Sequence, residues 1–275
     1  MSGIKLVSLP IGNHLDITLR ALEVIRGANI IYCEDTRVFK ELCRRCEISL
    51  EGKSIRSFHD HSSNLQTASI VELARTENCL FVSDAGSPIV SDPAYPIVQA
   101  ALKAGVDIDS IGGISSVITA LELSGLPPIP FHFHGFLARD KSKFNVDIEK
   151  LGGQYGTHIF FEGKSRVIKT LSFLSEKYPD FNFALARELT KEFQSVYRFK
   201  GCDFKDIEKD IMVKGEFVII AHNPKKDTAA SNSNELISLA QEIISHGAKP
   251  KKLSKLLSLI LEKPAKEIYD SIARS

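Results

Sequence analysis

Short apolar runs alternate with amphipathic stretches through residues 1–125. IKLVSLPI, NIIYCE, SIRSF, CLFVSD and DIDSIG have the length and composition of strands. Between and after them, DITLRALEVIRG, RVFKELCRRC, SNLQTASIVELART, AYPIVQAALKAG and SSVITALELSG carry apolar residues at helical spacing. Asp16 is placed to cap the first helix and Gly27 to follow its end, while Gly105 and Gly125 close two later ones. This alternation predicts βαβ units and a mostly parallel sheet.

The pattern changes at LPPIP (126–130), whose prolines fit neither a helix interior nor a central strand. Beyond it, FHFHGFL, THIFFEG, FNFALAREL, SVYRFK and EFVIIAHN read as strands, with helices at KSKFNVDIEKL and SRVIKTLSFLSEK. That mixture predicts an α/β unit with antiparallel pairing. The expected organisation is a parallel-sheet first lobe (1–125), a mixed-sheet second lobe (126–222), a polar linker (223–234) and a C-terminal helical module (235–275) of three short helices.

Composition narrows the class. The chain has 275 residues, 43% hydrophobic and 25% charged, as in ordinary globular proteins. A net charge of +1 leaves no global basic field, so contact with nucleic acid has to be local. No long apolar run predicts a membrane span, and no signal-like segment opens the chain, so a cytoplasmic protein is expected. The five cysteines are an odd number and read as reduced thiols. Cys43 and Cys46 form a CxxC inside a helix with no second half-site, which favours packing over metal. The pairs His59–His61 and His132–His134 place two rings on one strand face but lack a third ligand, so no metal is expected.

Candidate chemistry gathers at the carboxyl ends of the first-lobe strands, where open parallel sheets bind ligands. LPIGNHLDIT, EDTR, SDAGSPIVSD and IGGISS follow successive strands. Gly12, Gly86, Gly112 and Gly113 allow close approach of backbone to a ligand. Ser115 and Ser116 start a helix, where capping is expected and free N–H groups suit an anion. Neither GxGxxG after the first strand nor GxxxxGK[ST] is present, which argues against a dinucleotide oxidoreductase or a P-loop ATPase.

Taken in order, "LVSLPIGNHLDITLRALEVI", "YCEDTR", "FHDHSS", "FVSDAGSPIVSDPAYPIV", "FHFHGFLARDKS" and "LARELTKEFQSVYR" resemble the RsmI-type branch of the tetrapyrrole-methylase superfamily. The resemblance implies a two-lobed fold with S-adenosyl-L-methionine between the lobes. It also implies methyl transfer to the ribose 2′-hydroxyl of a cytidine in 16S ribosomal RNA, and a homodimer. Carried over onto this sequence, it makes Leu9, Pro10, Gly86, Ser87, Val90, Ser115 and Ser116 the donor contacts, with Phe161 from the second lobe, and Asp84, at the start of the same loop, is added to them as the first to test for donor binding. Two loops depart from the family pattern: Ile111-Gly112-Gly113-Ile114-Ser115-Ser116 stands for Leu-Pro-Gly-Pro-Ser-Ala, and Glu162-Gly163-Lys164-Ser165-Arg166 for Glu-Ser-Pro-His-Arg.

Removal of the hydroxyl proton calls for an acceptor, and Asp35 or Glu188 is the expected one, with Lys191 beside them. Asn13, Arg37, Arg139 and Arg187 are the expected RNA contacts. Lys141 and Lys143, near Arg139, form one basic stretch, and Lys249, Lys251, Lys252 and Lys255 another. Two alternatives remain at this point. One is a small-molecule methylase acting on a tetrapyrrole. The other is an RNA-binding scaffold without catalysis, which donor binding would separate from an enzyme.

Overall fold

A computed structural model describes residues 2–59, 63–224, 229–261 and 264–273, the side chains of 229–235 excepted. Asp60 and His61 of the first histidine pair therefore lie outside the described residues.

The first sheet holds β1 (Gly3–Val7), β2 (Ile30–Cys33), β3 (Ser54–Ser57), β4 (Asn78–Val82) and β5 (Ile108–Ile111) in the order β3-β2-β4-β1-β5. Every pairing is parallel. The connecting helices are α1 (Leu19–Gly27), α2 (Thr36–Arg45), α3 (Asn64–Leu73), α4 (Tyr95–Lys103) and α5 (Ser116–Ser124). The strands are buried on both faces, as a doubly covered parallel sheet requires. Ile4, Leu6, Tyr32, Cys79 and Phe81 pack with Ile70 of α3 and Ile97 of α4. Val7, Ile31, Leu80 and Val82 pack on the opposite side with Ile25 of α1 and Phe39 and Cys43 of α2.

The second sheet has the order β6-β7-β10-β8-β9, from β6 (Phe131–Phe136), β7 (Gly156–Gly163), β8 (Asn182–Arg187), β9 (Ser195–Lys200) and β10 (Glu216–Asn223). β6 and β7 run parallel, and the other neighbours are antiparallel. Helices α6 (Lys141–Gly153) and α7 (Val167–Lys177), with the short α8 (Phe204–Ile207), cover one face through Phe160, Phe183, Leu185 and Ile219. The other face, with Ile159, Ala184, Ala186, Val218 and Ile220, is covered by Val117, Ala120 and Leu121 of α5. A helix that belongs by chain order to the first lobe thus closes the core of the second. Burial of these side chains, each worth about 1.5–3 kcal/mol for the larger ones, couples the two lobes.

α9 (Ala229–Ser245), α10 (Pro250–Ile260) and α11 (Ala265–Ala273) share a separate small core of Ala240, Leu257, Ile268 and Ile272. α9 reaches back into the stretch read as linker. Among the described residues no helix is long and apolar enough to cross a membrane.

Two caps differ from the sequence reading. Thr18, not Asp16, caps α1, because Asp16 belongs to a preceding 3-10 turn (His14–Asp16) and the Thr18 hydroxyl accepts the Ala21 N–H. Gly27 is the last helical residue and Ala28 the C-cap.

Candidate active site

A cavity of about 370 Å³ opens between the lobes. Its first-lobe wall comes from the β4–α4 loop and the amino end of α5. Asp84, Gly86, Ser87 and Val90 line it, with Ser115 and Ser116 opposite Phe161 of β7. Seven of the nine expected donor contacts therefore meet in one place. Leu9 and Pro10 do not line it: both are buried, and the Leu9 side chain packs in the core with Val7 and Ile25. Leu9 contributes through its backbone instead. Its N–H donates to Gly86 O at 2.9 Å, and the Gly86 N–H donates to Leu9 O at 3.0 Å. Ile11, two residues on, supplies the side chain that reaches the cavity.

Backbone conformation shapes this wall. Gly86 has φ 69°, a left-handed position that favours glycine. The Ser83 hydroxyl, itself buried, donates to Ala85 O and Gly86 O at 3.1 Å each and pins the turn. Ser115 occupies the N-cap of α5, yet its side chain makes no cap hydrogen bond. The expected capping is thus absent, and the amino end of α5 borders the cavity through Ser115 and Ser116, where a helix N-terminus suits an anionic group. At α4 the N-cap position is held by Ala94, and Asp92 lines the cavity.

The glycines divide by role. A Cβ on Gly12 would come within 2.5 Å of Lys191 Cγ and 2.8 Å of Leu189 O, and one on Gly113 within 3.0 Å of Ser8 Cβ. Both therefore serve chain-to-chain approach rather than a ligand. The contact at Gly12 joins the lobes, and the Asn13 N–H extends it by donating to Thr190 Oγ1 at 3.0 Å. The Asn13 side-chain oxygen turns back to accept the Leu15 N–H, so in this residue, expected at the RNA, the oxygen serves the loop itself.

Asp35 caps α2, accepting the Arg37 N–H at 2.8 Å and the Arg37 guanidinium at 3.1 and 2.6 Å. Those hydrogen bonds hold its carboxyl down at about 2, which makes it a poor proton acceptor. Its own N–H donates to Asp84 Oδ1 at 2.9 Å. Asp84 goes the other way: burial pushes its carboxyl above the usual range, against the hydrogen bond from Asp35. Of these two, Asp84 is the more basic, and it lines the cavity.

Glu188, at φ 50°, accepts Lys191 Nζ at 3.0 Å and the Glu216 N–H at 2.9 Å. Burial raises its carboxyl, but the hydrogen bonds from Glu216 and Lys191 outweigh it and leave the net shift downward. Lys191 also donates to Glu216 Oε2 at 2.7 Å. Arg187 is buried and donates to Lys214 O at 2.6 Å and Phe193 O at 2.8 Å. The RELTK segment therefore braces the lobe junction. Arg187 differs from the expected phosphate ligand because its donors satisfy buried carbonyls. Arg37 remains outward, with 88% of its side chain exposed, and Arg139 is exposed as well.

Phe136, Leu189, Glu216, Phe217 and Val218 also line the cavity and were not expected there. The alternation of β10 could have nominated Phe217 or Val218 but not the loop that each would face. Glu162 is buried and accepts Gly163 N–H, Arg166 Nε and Thr170 Oγ1 at 2.8–2.9 Å. Arg166 continues to Leu137 O and Ala138 O. The altered EGKSR loop thus keeps a buried ion pair that ties β7 to α7 and to the end of β6.

His132 and His134 pack on the neighbouring strand. Each stacks on His158 of β7, at centroid distances of 5.1 and 5.2 Å, and His134 Nε2 lies 3.0 Å from His158 Nδ1. Among the described residues no group of three or more His, Cys, Asp or Glu side chains is arranged to hold a metal ion.

The family described as Tetrapyrrole (Corrin/Porphyrin) Methylases matches residues 3–203. "Ribosomal RNA small subunit methyltransferase I" of Bacillus subtilis (strain 168) is 31% identical over 98% of this chain and 94% of its own length. The protein of that name from Rickettsia prowazekii (strain Madrid E) is 36% identical over 80% of this chain and 78% of its own. Among solved structures, diphthine synthase aligns with a TM-score of 0.62 at 17% identity, covering 81% of this chain and 90% of that one. A uroporphyrin-III C-methyltransferase from Thermus thermophilus, complexed with S-adenosyl homocysteine, aligns with a TM-score of 0.55 at 16% identity, covering 81% and 98%. Two lobes meeting at a loop-built cavity, together with the match over residues 3–203, make this chain a member of the tetrapyrrole methylase family.

Proposed function

We propose that this chain is an S-adenosylmethionine-dependent methyltransferase of small-subunit ribosomal RNA, acting on the ribose 2′-hydroxyl of a cytidine in 16S RNA. The observation that carries the reading is the cavity, where the amino end of α5, without a side-chain cap, shares the lining with the apolar Val90 and Phe161 and a left-handed Gly86. This donor set fits a ligand with an anionic amino-acid end and a flat purine end. Similarity to relatives named as ribosomal RNA methyltransferases, at 31–36% identity, favours RNA over a tetrapyrrole, since the precorrin-4 and uroporphyrin-III methyltransferases align here at 15–16%.

When bound, S-adenosylmethionine supplies an electrophilic methyl group. The chain's task is to hold donor and acceptor in line and to relieve the acceptor hydroxyl of its proton. Ser115, Ser116 and the first N–H groups of α5 hold the anionic end, while Val90 and Phe161 exclude water from the flat one. Asp84 takes the proton, replacing Asp35 and Glu188 in that role, because its carboxyl is both raised by burial and at the cavity wall. Asp35, Glu188 and Lys191 keep the loops in register. Arg37 and Arg139 contact RNA phosphates. The protein works in the cytoplasm as a homodimer, which sedimentation equilibrium would test.

Asp84→Asn keeps an oxygen for the Asp35 N–H and removes the base. It is expected to lower methyl transfer to small ribosomal subunits at least a hundredfold while S-adenosylhomocysteine binding, by calorimetry, stays within a few fold. Glu188→Gln is expected to retain turnover. The reverse pattern would return the role to Glu188.

A further inference from the structure

Phe136 stands at the cavity because strand β6 is irregular. β6 pairs with β7 at Phe133↔Ile159 and next at Phe136↔Phe161, three steps on one strand against two on the other. One extra residue is therefore inserted, as in a β-bulge, and Gly135 absorbs it at φ 67°. A Cβ on Gly135 would lie 3.6 Å from Ser91 Oγ of the cavity loop, so the bulge sits against the opposite lobe.

The consequence is a change of face. On a regular strand, residues three apart point to opposite sides of the sheet. Here Phe133 and Phe136 both reach the same ring, Phe161, in T-shaped contacts at 4.9 and 5.5 Å. His134, in between, lies on the other side against Phe160 and His158. Phe136 lines the cavity but remains 60% exposed. A phenyl ring anchored on one side and open to water on the other loses little rotamer freedom when a flat partner covers it.

We propose that Phe136, turned into the cavity by the bulge, is the stacking platform for the base of the acceptor nucleotide. This rests on the reading of the chain as an RNA ribose methyltransferase. The chemistry of the acceptor points the same way. A ribose 2′-hydroxyl is one carbon from the glycosidic bond, so a ribose delivered to this cavity carries its base to the cavity's open side. Unstacked bases in RNA sites rest on aromatic rings, and each such stack contributes enough to change affinity about tenfold to a hundredfold. The Phe136 ring is 60% exposed and packs on Phe161, the donor contact of its own lobe, whereas the donor contacts Gly86, Ser115 and Ser116 lie on the opposite lobe.

The test uses Phe136→Ala, Phe136→Leu and Phe136→Tyr in the full chain. The readouts are KM for small ribosomal subunits and the Kd of S-adenosylhomocysteine. Ala and Leu are expected to raise KM for the subunits about tenfold or more, Tyr to restore it, and all three to leave S-adenosylhomocysteine binding within twofold. A role in packing alone would let Leu perform as well as Tyr, which overturns the proposal. Parallel loss of S-adenosylhomocysteine affinity overturns it too, by giving the ring to the donor. If wild-type protein leaves ribosomal RNA unmethylated, the functional reading fails by itself. Fluorescence anisotropy with a single-stranded RNA oligonucleotide then decides the platform through the same order of variants, and equal affinities of all four proteins refute it.

Discussion

Acid should destabilise this protein through one histidine in particular. His158 is fully buried on β7, stacked against His132 and His134, with Nε2 2.9 Å from Gln154 O. Burial lowers its pKa to about 4; the Gln154 carbonyl opposes this, and His134, His132 and His222 reinforce it. Since Nε2 faces a carbonyl, the neutral ring carries its proton there, and Nδ1 must accept from His134. A second proton on His158 would face the His134 N–H. Between the ordinary value of about 6.5 and about 4, the unfolded chain binds a proton that the folded chain does not. Stability is therefore fully present above pH ~6.5, falls as the pH drops, and levels off below pH ~4. At 1.36 kcal/mol per unit, the shift is worth about 3 kcal/mol. His134 and His222 are also lowered by burial and act in the same direction. At His134, His132 and Lys150 lower the value further and Asp147 opposes them. Urea denaturation followed by circular dichroism at several pH values between 7.5 and 5, on wild type and His158→Gln, isolates the residue because the carboxylates titrate in both. The difference in unfolding free energy is expected to shrink by about 1.4 kcal/mol per pH unit below pH ~6. Equal slopes for the two proteins would refute a neutral His158.

Ser115→Ala is expected to weaken S-adenosylhomocysteine binding about fivefold without lowering the melting temperature, because the hydroxyl makes no cap bond; calorimetry and thermal denaturation read the two quantities. Glu162→Ala leaves Arg166 without its carboxylate at a buried site and is expected to cost about 3 kcal/mol in urea denaturation. Neutralising Arg139, Lys141 and Lys143 together, or Lys249, Lys251, Lys252 and Lys255 together, is expected to weaken RNA binding and flatten its dependence on salt. An unchanged salt slope in filter-binding assays would make these residues ordinary solvated surface.

Strand and helix types, the parallel first sheet, the mixed second one and most of the loops that gather at the cavity were readable from the chain. These are local matters: periodicity sets the element, and small residues after a strand end mark a loop that can approach a ligand. Which charged residue does what was not local. Asp35 and Asp84 are chemically alike in sequence. One lies under a guanidinium and the other is desolvated at the cavity wall, so their basicities separate only once the loops are folded together. Arg187 looked like a phosphate ligand until the carbonyls of Lys214 and Phe193 took its donors. Gly12 looked like a ligand-facing glycine, yet the second lobe fills that space. Phe136 was hidden for a further reason. Strand alternation predicts its face correctly only without a bulge, and the bulge depends on how β6 registers against β7 and Ser91. The sequence by itself determined the elements, the family signature and the loops that form the site. The tertiary structure decided burial, partner and direction for each side chain, because those depend on residues brought close from distant parts of the chain.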